Sequence, residues 1–290
     1  MKKFTVFIIF LISITVTVAQ QKMTDSLWNV YRNKEQPDTN RISALNLIAL
    51  DYSSSNPDSG IVLGELLLRF AQGNSQKKYE GNALNTLGLS FLNMGNYPKA
   101  LEYYIKCLAV KEQTGNKKGI CACYTNIGIV YFNQSNYHAA VEYYTKALKI
   151  NEEIGNKQGI AANNTNIGNV YLYQSDFTKA IVCYSKSLEI YKSINDKKGI
   201  GNCYNNLGVA CKEQSDVPKA LEYYLKSLTI KEEINDKQGI GTSYLNLGEL
   251  YNNLGDFKKA IYNCNIAVKL SKEVENINNE RLAYENLADV

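Results

Sequence analysis

Asparagine recurs at a fixed interval along this 290-residue chain, and its side-chain amide is the leading candidate for binding chemistry. The residue stands at Asn126, Asn166, Asn206, Asn246 and Asn286, each 40 residues after the one before. An amide offers hydrogen-bond donors and an acceptor, which suits the alternating N–H and C=O groups of an extended peptide. Helices pack roughly 8–10 Å apart and an extended chain advances about 3.3 Å per residue, so successive asparagines would meet about every third peptide residue. The alternative is that these amides join one helix to the next within the scaffold.

Candidates for catalysis are few. The sequence has a single histidine, His138, so a multi-histidine metal site cannot form, and no nucleophile stands in an evident pairing with it. The acidic pairs Glu152-Glu153 and Glu232-Glu233 lie close to lysines at helical spacing, which is typical of a solvated helix face. The glycines are isolated and form no phosphate-binding loop. We therefore predict that the protein is not an enzyme and uses no cofactor and no metal.

The elements that would hold the asparagines are predicted to be pairs of helices. Four of the five asparagines precede a glycine by two residues, and the glycine itself recurs at Gly88, Gly128, Gly168, Gly208 and Gly248. Around it, apolar and small residues follow the three- and four-residue spacing of two amphipathic helices. Asn96 and Asp216 have the character of N-caps for the second helix, and Pro98 and Pro218 fall in its first turn. The recurrent glycine and an alanine twelve residues later would let the paired helices approach closely.

Repetition at this period is typical of a solenoid, in which each unit buries its apolar face on its neighbours. Counting from the glycines, we predict five 40-residue repeats over residues 81–280, at 81–120, 121–160, 161–200, 201–240 and 241–280. We expect residues 20–40 to form an N-terminal helix and linker, residues 41–80 a degenerate capping repeat, and residues 281–290 part of a sixth repeat.

These repeats resemble a known family. The pattern Ile127-Gly128-x-x-Tyr131, then Ala140, then Tyr144 four residues later is similar to the tetratricopeptide repeat. The usual tryptophan at the fourth position is missing, and each unit is about six residues longer than the usual repeat of about 34. The resemblance implies an all-α fold, a right-handed α-solenoid of helix-turn-helix repeats. The 40-residue form resembles the subgroup found in peptide-binding regulators and in the extracytoplasmic sensor arms of bacterial signalling proteins.

The resemblance also places the first helix of each repeat along the concave groove of the solenoid. The candidate residues for a peptide-binding groove are then Asn126, Asn166, Asn206, Asn246, Asn85, Thr125, Thr165, Asn169, Tyr173 and Asn205. This surface is polar and nearly uncharged in its middle. Clamping of a terminal carboxylate by lysine and arginine, which some family members use, is therefore not supported.

The amino terminus predicts export. Lys2 and Lys3 precede an uncharged run over residues 4–18, and the small residues at 17–19 are typical of a signal-peptidase site. We expect a signal peptide over residues 1–19 and a periplasmic or extracellular product, membrane-associated only if that segment is retained. No other apolar run approaches the roughly 20 residues that span a bilayer, so no membrane span is expected in the mature chain as given.

Charge and cysteine content exclude further classes. The net charge is +4 at pH 7 with both signs interspersed, so no basic stripe for nucleic acid is expected. Seven cysteines occupy scattered repeat positions, which favours core filling over a disulfide framework. The sequence therefore predicts an exported, non-enzymatic scaffold that binds a peptide or protein partner. The alternative is the sensor arm of a membrane signalling protein, with a histidine kinase, cyclase or DNA-binding output beyond residue 290.

Overall fold

The computed structural model describes residues 24–289, and every regular element in this part of the chain is a helix. Helix α1 covers residues 24–32. The others are α2 Asp38–Ser55, α3 Pro57–Gly73, α4 Lys77–Asn93, α5 Tyr97–Gln113, α6 Lys117–Asn133, α7 Tyr137–Glu153, α8 Lys157–Tyr173, α9 Phe177–Ser193, α10 Lys197–Glu213, α11 Val217–Glu233, α12 Lys237–Asn253, α13 Phe257–Glu273 and α14 Ile277–Ala288. The predicted all-α class, built from helix-turn-helix repeats, is confirmed.

The helices have a uniform length. From α3 to α13 each has 17 residues and is followed by a three-residue turn, so two helices with their turns make up the 40-residue period. We call α4, α6, α8, α10, α12 and α14 the A helices, and α5, α7, α9, α11 and α13 the B helices. The predicted repeat starts, such as Gly81 and Gly201, fall on the fifth residue of an A helix.

The turns follow from two local signals. The side chain of Asn96 accepts a hydrogen bond from the N–H of Lys99 at 3.3 Å, and Asp216 caps α11 in the same way. These predicted N-caps are confirmed. In each turn before α4 to α14, the residue that precedes the N-cap has a positive φ. This conformation ends the preceding helix. Such residues recur at intervals of 20 along the described turns, and seven of them are not glycine: Ser75, Ser135, Ser175, Asn195, Ser215, Asn235 and Glu275.

The recurrent glycines allow close packing of helix pairs such as α4–α5 and α10–α11. A Cβ atom built on Gly88 would lie 2.6 Å from the ring of Tyr104, and one on Gly208 would lie 2.5 Å from the ring of Tyr224. Both tyrosines are buried in the B helix of the same pair. A methyl group at either glycine would force the two helices apart, so the predicted packing role of the glycines is confirmed.

The described residues form two compact units with a boundary between Gln134 and Ser135. The N-terminal unit contains α1 to α6, and Trp28 of α1 packs there on a core that includes Leu45 and Leu67. The C-terminal unit contains α7 to α14 and has its own core, formed around the buried tyrosines of its B helices.

Within residues 24–289, no helix combines the length and the apolar composition needed to cross a bilayer. The predicted signal peptide, residues 1–19, lies outside the part of the chain that the structure describes.

Candidate functional site

The candidate asparagines all lie on A helices. In the C-terminal unit, α10 contacts α12 and α12 contacts α14, so neighbouring A helices lie side by side. In the N-terminal unit, α4 contacts α2, and a hydrogen bond between side chains joins α6 to α4. Each unit therefore presents a face built from A helices, on which residues 40 positions apart occupy equivalent places. We call this the A-helix face of that unit.

Two of the periodic asparagines are tied to the preceding A helix. Asn126 donates its Nδ2–H to Oδ1 of Asn85 at 2.9 Å, which joins α6 to α4. Asn246 donates to Oδ1 of Asn205 at 2.8 Å, which joins α12 to α10. All four side chains are half-buried. These two hydrogen bonds join neighbouring helices, as the alternative interpretation expects, and each leaves part of the amide without a partner in the bond.

Asn166 and Asn206 behave differently, although both are also half-buried. Neither side-chain amide makes a hydrogen bond with any residue among 24–289. For Asn206 the reason is local, because the position 41 residues earlier is Thr165 and not an asparagine. The Thr165 hydroxyl is engaged elsewhere: it lies 3.1 Å from the carbonyl oxygen of Ala161 and 2.8 Å from the hydroxyl of Ser187. The amide of Asn206 thus keeps its full hydrogen-bonding capacity on the surface of α10.

The other candidate residues on α8 have mixed roles. Asn169 accepts a hydrogen bond from the Tyr184 hydroxyl at 2.8 Å, so its oxygen serves the scaffold. This contact satisfies a phenol whose pKa is raised by burial. Tyr104 occupies the equivalent place in the N-terminal unit, and its hydroxyl has no hydrogen-bond partner among the described residues.

Tyr173, the last residue of α8, is 66% exposed and offers a flat apolar surface. Thr125 is half-buried on α6.

A charge pair crosses the A-helix face of the C-terminal unit. Lys212 of α10 donates to a carboxylate oxygen of Glu249 of α12 at 2.5 Å, and its ammonium also lies 3.3 Å from a carboxylate oxygen of Glu213. The pair neutralises the lysine charge on this face. Sequence analysis did not find this pair, because only the alignment of neighbouring A helices shows that a lysine and a glutamate 37 residues apart lie together.

Buried lysines are a second feature that the sequence analysis missed. Lys111 on α5 is only 6% exposed and donates to Oδ1 of Asn82 at 2.8 Å. Lys231 occupies the equivalent place on α11, where its Nζ donates to the Ser243 hydroxyl at 3.3 Å. Burial lowers the pKa of Lys231 to about 8, an effect that the carboxylate of Asp236 partly offsets. Other repeats carry unrelated residues at this position, so no periodic signal pointed to it.

A cavity of about 460 Å³ opens beside Lys111 in the N-terminal unit. It lies against the A-helix face, and most of its lining surface is apolar, with asparagine and lysine side chains among the lining residues. The lining residues are Asn46, Leu50, Asn82, Asn85, Thr86, Cys107, Lys111, Asn116, Lys118, Gly119, Ala122 and Cys123. One candidate residue of the predicted groove, Asn85, thus lines a defined cavity.

The residues considered for catalysis lie on B helices of the C-terminal unit. His138 is exposed in the first turn of α7, and Glu152 and Glu153 are exposed at the end of the same helix. Glu233 of the second acidic pair lies 3.1 Å from the ammonium of Lys197. Among residues 24–289, no group of three or more histidine, cysteine, aspartate or glutamate side chains could hold a metal ion.

Sequence and structure comparisons agree on the type of repeat. Family models described as tetratricopeptide repeat match residues 79–153, 159–233 and 241–273, which together exceed half of the chain. No curated protein matches the sequence significantly.

Several solved structures are similar to this one. Aspartyl phosphate phosphatase F from Bacillus subtilis has 16% identity and a TM-score of 0.69, with coverage of 94% of this chain and 76% of that one. The apo quorum sensor NprR from B. thuringiensis has 14% identity and a TM-score of 0.63, with coverage of 97% and 84%. The Rap conjugation gene regulator of plasmid pLS20, in complex with the Phr* peptide, has 14% identity and a TM-score of 0.64, with coverage of 84% and 78%. At these identities the likeness concerns the fold.

Proposed function

Because this chain belongs to the tetratricopeptide repeat family, we propose that it is a binding scaffold that holds an extended segment of a peptide or protein partner on an A-helix face. One observation carries the proposal. Asn166 and Asn206 are half-buried and lie on consecutive A helices of the C-terminal unit. Their side-chain amides have no hydrogen-bond partner among the described residues. Polar groups removed from water usually find a partner, so these two amides are available to a ligand.

The spacing of the two amides suits a peptide backbone. Neighbouring packed helices lie roughly 8–10 Å apart, which corresponds to about three residues of an extended chain. Asn166 would bind one peptide group and Asn206 the group about three residues further on. Each amide can donate to a carbonyl and accept from an N–H, so this pair would recognise backbone and not side chains. The exposed ring of Tyr173 would contribute to side-chain selectivity.

The asparagines that are hydrogen-bonded to each other also contribute to the proposed binding face. The Asn205–Asn246 bond uses one donor and one acceptor and leaves the other groups of both amides free for a ligand. The bond also holds the two side chains in one orientation, which lowers the entropy lost on binding. In the N-terminal unit, Asn85 and Asn126 form the equivalent pair, and Thr125 lies beside them on α6.

The similar structures support the proposal only through their fold. The pLS20 regulator was solved in complex with the Phr* peptide, so a protein of similar fold binds a peptide. No catalytic role is assigned to the present chain, and the absence of enzymatic activity stays a prediction. The mixed charge pattern remains the reason for expecting a protein partner and not a nucleic acid.

Export stays a prediction that depends on residues 1–19, and the sensor-arm alternative stays a prediction that depends on the family resemblance. Fusing residues 1–40 to a phosphatase reporter that is active only outside the cytoplasm tests export directly. An inactive, cytoplasmic fusion would contradict it.

Binding can be tested with defined probes. A library of labelled dodecapeptides is screened by fluorescence anisotropy against residues 20–290, and the peptides that bind are remeasured with an Asn166→Ala/Asn206→Ala variant. Each lost hydrogen bond is worth about 0.5–1.5 kcal/mol, so the double variant should bind roughly tenfold more weakly or worse.

The matched control is Asn265→Ala. Asn265 is exposed on the B helix α13 and hydrogen-bonds only within its own helix, to the carbonyl of Ile261 at 2.9 Å. This variant should bind like the wild type. Equal affinities for the wild type and the double variant would refute the role of the two asparagines, and so would loss of helical content in the double variant.

A further inference from the structure

Three of the repeats bring two equivalent positions into contact across the core. One lies on the B helix and the other lies 16 residues later, on the next A helix. In the C-terminal unit the pair is Ser187 and Cys203, at 3.4 Å, and one repeat later it is Ser227 and Ser243, at 3.3 Å. The contact is therefore a regular feature of the scaffold, and the side chains that occupy it vary.

In the N-terminal unit both positions are cysteine. The Sγ atoms of Cys107 on α5 and Cys123 on α6 lie 3.2 Å apart, and each residue is 1% exposed. Cys123 donates its S–H to Cys107, and Cys107 in turn donates its own S–H to the carbonyl oxygen of Gly81 at 3.1 Å. A disulfide bond is about 2.05 Å long, so the two sulfurs need to approach by roughly 1 Å to form one.

The surroundings distinguish the two thiols. The hydrogen bond from Cys123 and the positive charge of Lys111 lower the pKa of Cys107, while burial opposes them. The same hydrogen bond raises the pKa of Cys123, which holds its proton. The thiolate is the nucleophile in thiol chemistry, so Cys107 is the attacking sulfur of the pair.

The pair borders a cavity. Both cysteines line the cavity of about 460 Å³, together with Lys111 and the amides of Asn82 and Asn85. The lysine ammonium and the amides can hold the carboxylate and peptide groups of a small thiol peptide.

We propose that Cys107 and Cys123 form a redox-active dithiol, which closes to an intramolecular disulfide by exchange with a small glutathione-like disulfide entering this cavity. The Cys107 thiolate attacks one sulfur of the incoming disulfide, breaks its S–S bond and releases one thiolate. That thiolate takes the proton of Cys123, whose sulfur then attacks the Cys107 sulfur and expels the second thiolate. The second thiolate takes up a proton from solvent, which replaces the proton that Cys107 released when it ionised. Two electrons pass from the cysteines to the incoming disulfide, which leaves as two thiols. The new bond links a B helix to the next A helix beside Asn85.

The test uses the reduced chain, residues 20–290, under native conditions with oxidised glutathione. After an acid quench, denaturation and alkylation, mass spectrometry should show two fewer alkylated cysteines and a peptide cross-link that contains Cys107. Cys123→Ser should abolish the cross-link and leave glutathione attached to Cys107. Cys121→Ser is the matched control and should form the cross-link normally, because Cys121 is not one of the facing pair.

Serine is tolerated at both positions of this contact, since Ser227 and Ser243 occupy it in the C-terminal unit. The variants are therefore expected to fold, and the wild-type peptide map is decisive without them. A wild-type protein that keeps every thiol, or one that joins a different pair of cysteines, would overturn the proposal. Cross-linking that survives Cys123→Ser would overturn it as well.

Discussion

The hydrogen bond between Asn205 and Asn246 should produce a measurable coupling between the two side chains. The bond is 2.8 Å long, half-buried, and joins α10 to α12. Replacing either residue by alanine removes it, at a cost of about 0.5–1.5 kcal/mol. Alanine also has a higher helix propensity than asparagine. This difference stabilises the folded state by up to about 0.7 kcal/mol per substitution and partly offsets the loss of the hydrogen bond. A single variant can therefore show almost no net change in the free energy of unfolding.

A double-mutant cycle removes this ambiguity, because the propensity gains cancel and the pairwise contribution remains. Asn205→Ala, Asn246→Ala and the double variant should give a coupling free energy of about 0.5–1.5 kcal/mol. The matched cycle uses Thr165→Ala and Asn206→Ala. These residues occupy the same positions one repeat earlier and have no hydrogen bond between them. Its coupling should lie below about 0.5 kcal/mol.

Equilibrium unfolding in urea, followed by circular dichroism, measures both cycles. The m-values should agree among all variants, which shows that the same surface becomes exposed in each case. Equal couplings in the two cycles would refute the division of the asparagines into bonded and open classes. A coupling near zero at Asn205 and Asn246 would show that the bond contributes nothing to stability.

Two further predictions concern stability. Ser215 has a φ of +63° and is exposed, so Ser215→Gly should raise the free energy of unfolding by about 0.5–1 kcal/mol, measured by thermal denaturation. Gly255→Ala, at a φ of +73° with open space around it, should lower it by a similar amount, and an unchanged melting temperature in both variants would contradict this reasoning. Lys231→Met should stabilise the protein at pH 7 by about 1–3 kcal/mol, because burial lowers the pKa of Lys231 to about 8 and the folded state therefore disfavours the charged form. Below that pKa the lysine is charged in both states and the cost is complete; as the pH rises from 8 towards the unfolded value of 10.5, the folded protein loses the proton first and the cost disappears. The advantage of methionine should thus shrink by about pH 10, and urea unfolding that shows a constant difference would argue against a buried ammonium.

The helices and turns could be predicted because their signals are local. A cap such as Asn96 acts on a backbone group three residues away, and a glycine such as Gly88 meets a tyrosine in the same helix pair. Both signals repeat with the period of the sequence. They therefore identified the helix pairs without any knowledge of how one repeat packs on the next.

The candidate site was less predictable because it depends on contacts between repeats. Whether an asparagine is bonded depends on the residue 41 positions earlier, which is Asn205 for Asn246 and Thr165 for Asn206. The facing thiols of Cys107 and Cys123 depend in the same way on a pairing of positions 16 residues apart. These relations are visible in the sequence only after the register between neighbouring helices is known.

The uniform 17-residue helices and three-residue turns bear on how such an array can change in evolution. Within the C-terminal unit, the surfaces that meet between one repeat and the next are built from equivalent positions. A recombination event between two equivalent codons would therefore add or remove a whole repeat and still join matching surfaces. The Asn205–Asn246 bond and the Lys212–Glu249 pair each have one partner in either of two neighbouring repeats, so such an event would exchange the partner of one side chain and leave the helix packing unchanged.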